Sequence, residues 1–230
     1  MVRGQTTVNA PGRQVARRRT RLALRPYLIP ADGRARLARS TQSTTVPVPH
    51  AALAHPPRWL SASQLHPAPV AGVRDWLFNE DSLTRRLSAL STDGVSVTPL
   101  VEGWQRLRSD ECAALGVVDG SQGWVREVYL RGRGTPWVFA RSVAARSALE
   151  GSGLELSQLG SRSLGELLFS DRAFDRGPLQ ACRYPDAWLP SETRAARLWA
   201  RRSCFSRGPL GVLVAEVFLP EFWVAAAIEP

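Results

Sequence analysis

The chain contains no lysine, so all thirty of its basic side chains are arginine. Histidine is nearly absent as well. His50, His55 and His66 are the only three, and residues 67–230 hold neither His nor Lys. That excludes from this stretch a Ser-His-Asp triad, a Cys-His pair, a Schiff-base lysine, a P-loop lysine and a His-ligated metal site. Chemistry there must use carboxylates, guanidiniums, hydroxyls, thiols and backbone amides. Cysteine is scarce too. Cys112, Cys182 and Cys204 are odd in number and lack CxxC spacing, which suits free thiols in a reducing compartment and no structural zinc. No apolar run reaches the roughly 18–20 residues of a membrane span. Arg25 and Pro26 interrupt LALRPYLIP (22–30), which disfavours a signal peptide. A cytoplasmic protein without metal or cofactor is expected.

Acidic residues are missing from one end. Residues 1–55 carry ten Arg against Asp32 alone, a net of +9, whereas residues 56–230 carry twenty Arg against nineteen acids, a net of +1. The strong basicity therefore belongs to the N-terminal segment and gives no hint about the rest. Residues 1–69 are rich in Arg, Ala, Pro, Ser and Thr and lack periodicity, which predicts a basic, disordered extension. They show no helix-turn-helix pattern, and no nucleic-acid partner is expected. Residues 70–230 predict one domain of roughly 160 residues, large enough for a real core, acting as a monomer.

The periodicities within this domain predict an α+β fold. VRDWLF (73–78) has helical spacing, and Asp81 and Ser82 supply N-cap chemistry for a second helix over 82–90. VSVTPLV (95–101) reads as a strand that EGWQRL continues past a bend. SDECAALG (109–116) reads as a short helix or loop. GWVREVYLRGRGTPWVFARSV (123–143) is a hairpin turning at Arg131–Thr135. Ser163 and Glu166 fit a capping box for a further helix. Residues 171–196 read as a loop or lid, and 196–205 with 209–220 as a second hairpin turning near Ser206–Pro209.

Glu216 stands out within VLVAEVFLP (212–220). Alternation puts it on one face with Val212, Val214 and Phe218, so a carboxylate points into an apolar interior. Such a group must be paired, hydrogen-bonded or neutralised. Arg126 in WVREVYL (124–130) shares a face with Trp124, Val128 and Leu130. An inward Arg and an inward Glu predict either a structural ion pair or a pocket for a polar, anionic ligand. Arg141, beside Trp137 and Phe139 on alternation, and Arg201 and Arg202 read as structural or rim charges. Cys204 reads as a small buried hydrophobe. Helix N-termini expose amides that bind carboxylates, and Leu83 and Leu164 are placed to offer theirs.

Taken in order, these segments resemble the chorismate pyruvate-lyase (4-hydroxybenzoate synthase) family. The matching stretches are DWLFNEDSLTRRL (75–87), VSVTPLVEGW (95–104), WVREVYL (124–130), PWVFARSV (136–143), LGSRSLGELLF (159–169), LWARRS (198–203) and AEVFLP (215–220). They cover about residues 73–222; the first 70 match nothing in the family. The resemblance implies a single antiparallel β-sheet with short helical flaps over an internal ligand pocket. It implies a lyase converting chorismate to 4-hydroxybenzoate and pyruvate, the first committed step of ubiquinone biosynthesis. It puts Arg126 at the ring carboxylate, Glu216 at the ring hydroxyl, and the amides of Leu83 and Leu164 beside the carboxylate. Leu83 stands where some relatives have Met, and the stretch near 178–196 is longer than the family needs. Effector-sensing domains of some bacterial repressors resemble this fold too, so a non-catalytic aromatic-acid sensor or carrier is the alternative.

Overall fold

A computed structural model describes residues 56–150, 152, 164, 168 and 174–230. The N-terminal 55 residues and the capping box at Ser163–Glu166 lie outside them. Two helices open the described chain, α1 (Ala71–Phe78) and α2 (Leu83–Leu90). The Ser82 hydroxyl caps α2 by accepting from the Arg85 amide, as its position before LTRRLSAL predicts. Strand β1 (Val95–Arg106) then leads through α3 (Ser109–Leu115) into the hairpin β2 (Gln122–Gly132) and β3 (Thr135–Ala145). β1 is one strand through Arg106, with a register shift between Pro99 and Val101. Arg133 and Gly134 close the hairpin with φ of 51° and 75°, the two positive values that a two-residue turn of matching twist requires. A short helix α4 (Arg146–Leu149) follows, then β4 (Asp175–Arg176) and β5 (Gln180–Tyr184), two 3-10 turns (Asp186–Trp188 and Ser191–Thr193), the hairpin β6 (Leu198–Arg207) and β7 (Leu210–Phe218), and α5 (Pro220–Ala225).

The seven strands form one antiparallel sheet in the order β1-β2-β3-β7-β6-β4, with β5 also on β6. The α+β reading holds. Two details differ from it. Residues 180–184 form a strand and not part of a loop or lid, pairing Gln180 with Arg202 and Tyr184 with Leu198. Pro178, Pro185 and Pro190 punctuate this stretch and conceal a five-residue strand with buried Ala181, Cys182 and Tyr184. Trp137 also departs from alternation. It is the unmatched residue of a bulge between the Leu130–Val138 and Arg131–Pro136 pairs. Its ring therefore packs with Val128, Leu130 and Val138 on the face opposite Phe139.

The alternation of each strand gives the sheet two covered faces. On the first, α1, α2 and α5 bring Val73, Trp76, Leu77, Leu83, Leu87, Phe222 and Trp223 onto Val128, Leu130, Ala140 and Phe218. Val212 and Val214 continue this face beneath Leu164 and Leu168, which are both helical and buried. On the second, Cys112 of α3 packs on Val125, Val143 and Leu213.

Residues 59–65 belong to this packed unit. Leu60 exchanges two backbone hydrogen bonds with Ala181, at 2.9 and 2.8 Å. The Trp59 indole donates to Asp110 Oδ2 at 2.9 Å, and Leu65 is buried in the first core cluster. A chain starting at Pro67 is therefore expected to melt below one starting at Pro56. Loss of one buried leucine and its neighbouring contacts is worth about 3 kcal/mol, or roughly 6–12 °C for a domain this size. Coincident melting curves for the two truncations would show that the segment contributes nothing.

Candidate functional site

Strands β2, β3 and β7 lie side by side, and their inward residues build the floor of a cavity on the first face. Arg126, Val128 and Leu130 come from β2, Ala140 and Ser142 from β3, and Val214 and Glu216 from β7. Val97 of β1 closes one side, and Thr84 of α2 and Leu164 form the cover. The register fixes the relation between the two charged residues. Arg126 pairs across to Ser142, Ser142 to Val214, and Ala140 to Glu216. Arg126 and Glu216 are thus two strands and two residues apart, about 12 Å between Cα positions on standard sheet spacings. Both side chains line one cavity whose remaining wall is mostly apolar.

They do not pair with each other. Arg126, only 3% exposed, donates from Nε to Glu102 Oε1 at 2.6 Å. Glu102 stands directly opposite it on β1. Glu216 is 16% exposed and its Oε2 accepts from Arg201 Nε at 2.7 Å. The direct Arg126–Glu216 ion pair, one of the two sequence-based options, is therefore absent because β3 separates the strands that carry them. Arg201 is also no rim charge. It is 1% exposed, on β6 directly opposite Glu216. Arg176 of β4 adds a third guanidinium nearby. Burial first, and then the charge of Arg201, hold its pKa below the ordinary value.

Leu83 is the first residue of α2, and its side chain is buried among the core leucines. It is its neighbour Thr84 that reaches the cavity wall. Sequence reasoning missed Thr84 and Ser142 as lining residues. The alternation of β3 carried the signal for Ser142, which shares a face with Ala140.

The cavity measures about 30 Å³, close to the share of a single water in the liquid. An aromatic ring enters only if α2 or Leu164 moves outward. Two roomier hollows lie elsewhere. One of about 600 Å³ is an open groove along Arg74, Asp75 and Phe78. The other, about 370 Å³, lies between α3 and β6 beside Arg202 and Cys204. Neither contains Arg126 or Glu216. Among the described residues no group of three or more His, Cys, Asp or Glu could hold a metal ion, and no helix is long and apolar enough to cross a membrane.

The second face carries a separate buried charge network. Arg141 donates to both oxygens of Glu111, at 2.6 and 3.1 Å, and to Glu127 at 2.8 Å. Arg108 donates to the Tyr184 hydroxyl at 2.7 Å, and Arg202 to Asp110 Oδ2 at 3.2 Å. Arg141 and Arg202 are thus structural residues, as their sequence setting suggests. Burial pushes the Tyr184 phenol up to about 12 despite the cation beside it.

The first face thus carries a small cavity lined by one buried guanidinium and one carboxylate among mostly apolar side chains, with Thr84 of the short helix α2 in its wall. The family model described as chorismate lyase matches residues 54–228. A "Probable chorismate pyruvate-lyase 2" of Pseudomonas fluorescens is 63% identical over 174 residues, 76% of this chain and 95% of that protein. A "Probable chorismate pyruvate-lyase" of Pseudomonas aeruginosa is 66% identical over 170 residues, 74% of this chain and 95% of that one. The chain belongs to the chorismate lyase family, and so to the lyases. Among solved structures, the C-terminal domain of PhnF is 14% identical with a TM-score of 0.43, covering 54% of this chain and 82% of that one. The C-terminal domain of the histidine utilization repressor of Pseudomonas syringae is 11% identical with a TM-score of 0.40, covering 55% and 92%.

Proposed function

We propose that this chain converts chorismate to 4-hydroxybenzoate and pyruvate in the cytoplasm, as a monomer without metal or cofactor, at the head of ubiquinone biosynthesis. The observation that carries the reading is that Arg126 and Glu216 line separate points of one small cavity beneath α2, in a chain of this family. Chorismate has a ring carboxylate and, across the ring, a hydroxyl. Arg126 grips the carboxylate, because a guanidinium matches a carboxylate in charge and shape. Amides at the start of α2 and at Leu164 assist it. Glu216 accepts from the hydroxyl through the oxygen that Arg201 leaves unused. The bond from the ring to the enolpyruvyl oxygen breaks with its electrons going to that oxygen, the hydrogen on the hydroxyl-bearing ring carbon leaves as a proton, and the ring becomes aromatic, while the released enolpyruvate is protonated on its methylene carbon to give pyruvate. The driving force therefore resides in the substrate, and the protein orients the ether and stabilises departing charge. Closure of α2 over the bound ring excludes water from it.

Purified full-length protein given chorismate should generate the absorbance of 4-hydroxybenzoate, with pyruvate in equal amount. Tight binding of 4-hydroxybenzoate without turnover would replace the lyase reading with that of a sensor or carrier. Glu216→Gln should keep the shape and some hydrogen bonding but lose the carboxylate. Turnover and 4-hydroxybenzoate affinity should each fall at least about tenfold, on the scale of one charge-assisted hydrogen bond, and more than stability does. A Glu216→Gln protein with unchanged turnover and affinity would leave Glu216 only as a structural partner of Arg201.

A further inference from the structure

Arg201 holds Glu216 with one part of its guanidinium and the end of α1 with another. Nε donates to Glu216 Oε2 at 2.7 Å, while Nη1 donates to the carbonyls of Trp76 and Asn79, both at 3.0 Å. Trp76 lies in the last turn of α1 and Asn79 is its C-cap. Carbonyls at a helix C-terminus lack helical partners and carry partial negative charge, so a cation there is well matched. Asn79 begins the four-residue link that leads to α2 and so to Thr84 in the cavity wall. The next carbonyl in this link is held the same way. Arg176 Nη1 donates to Glu80 O at 2.6 Å, and its Nε donates to Ser203 Oγ at 3.0 Å. Two strands of the sheet thus fasten successive carbonyls at the root of the α2 flap, and the arginine on Asn79 is the one bonded to Glu216.

We propose that Arg201 is a positioning residue that couples the orientation of Glu216 to the placement of the α2 flap. The carboxylate and the flap root share one rigid, planar donor group, so a shift of either changes the hydrogen bonds of the other. A ligand hydroxyl that fixes Glu216 therefore also favours the closed position of α2. Release of α2 loosens the carboxylate that holds the hydroxyl. This use of the ligand rests on the lyase reading, whereas the coupling exists in the ligand-free protein.

Hydrogen exchange of the full-length protein tests it in two arms. In the ligand-free arm, Glu216→Gln should speed exchange of the amides of residues 79–82 about tenfold, as one charge-assisted bond weakens. The amides of α3, on the opposite face, should not change. Unaltered exchange at 79–82, or equal acceleration at α3, overturns the coupling. The second arm uses Arg201→Lys, which keeps the charge but offers one nitrogen in place of two. The affinity for 4-hydroxybenzoate should fall about tenfold or more, and saturating 4-hydroxybenzoate, expected to slow exchange across 79–90 in the wild type, should no longer do so. Wild-type affinity and wild-type protection in a variant with only a lower Tm would assign Arg201 a structural role alone and overturn the proposal. Should Arg201→Lys fail to fold, the Glu216→Gln arm decides. A wild-type protein that neither turns over chorismate nor binds 4-hydroxybenzoate sinks the lyase reading, and the ligand-free arm still decides the coupling.

Discussion

Arg126→Ala should lower kcat/KM for chorismate by about two to three orders of magnitude, the scale of losing one partner of a buried, hydrogen-bonded charge pair. Stability should fall much less. Among the described residues, the partner that Arg126 leaves behind is Glu102, whose side chain is 26% exposed, so its carboxylate can be rehydrated when the guanidinium is gone. The same exposure predicts that Glu102→Gln is milder than Arg126→Ala, because the clamp survives. Steady-state kinetics with a melting curve on each variant check both statements. Near-normal kcat/KM in folded Arg126→Ala would remove Arg126 from the carboxylate role.

The opposite pattern is expected on the other face of the sheet. Glu111→Ala should cost about 3–5 kcal/mol of stability, since it leaves Arg141 buried with half its partners lost. Turnover by the protein that remains folded should change little. Burial acts to raise the Glu111 carboxyl, but the hydrogen bonds and charge of Arg141, helped by Arg108, hold it below its ordinary value of 4.5. A carboxyl whose folded pKa is depressed contributes stability that is fully present above the unfolded value. That contribution is lost as pH falls through the lower folded value. Stability of the wild type should therefore decline below about pH 4.5, and Glu111→Ala should show a shallower decline over the same window. Parallel acid limbs for the two proteins would show that Glu111 does not carry this dependence.

Much of this was legible in the sequence because strand alternation is a local property. It placed Arg126 and Glu216 inward, and both line the same cavity. What alternation cannot give is the order of strands across a sheet. Whether Arg126 meets Glu216 depends on β3 lying between β2 and β7, and that follows only from the paired register. The same limit hid Arg201. In LWARRS, two adjacent arginines must face opposite sides of a strand, and nothing local says which side is the site. Strand β5 was concealed by flanking prolines, and the aim of Trp137 by a bulge one residue long. Helix α5 had a readable start, Pro220 in the first turn, although the apolar run before it read as continuous strand.

The pair Arg201–Arg202 has a consequence for which insertions and deletions this chain can tolerate. Arg201 serves Glu216 on one face while Arg202 serves Gln180 and Asp110 on the other. Between the paired residues Arg207 and Leu210, only Gly208 and Pro209 turn the chain, and Gly208 has a φ of 56°. One residue gained or lost within β6 would exchange the duties of the two arginines and turn every neighbouring side chain over. The 3-10 turns at 186–193 join β5 to β6 outside any ladder, so extra length there leaves both arginines in place. Natural length variation in descendants of this chain should therefore gather between Tyr184 and Leu198 and spare 198–218.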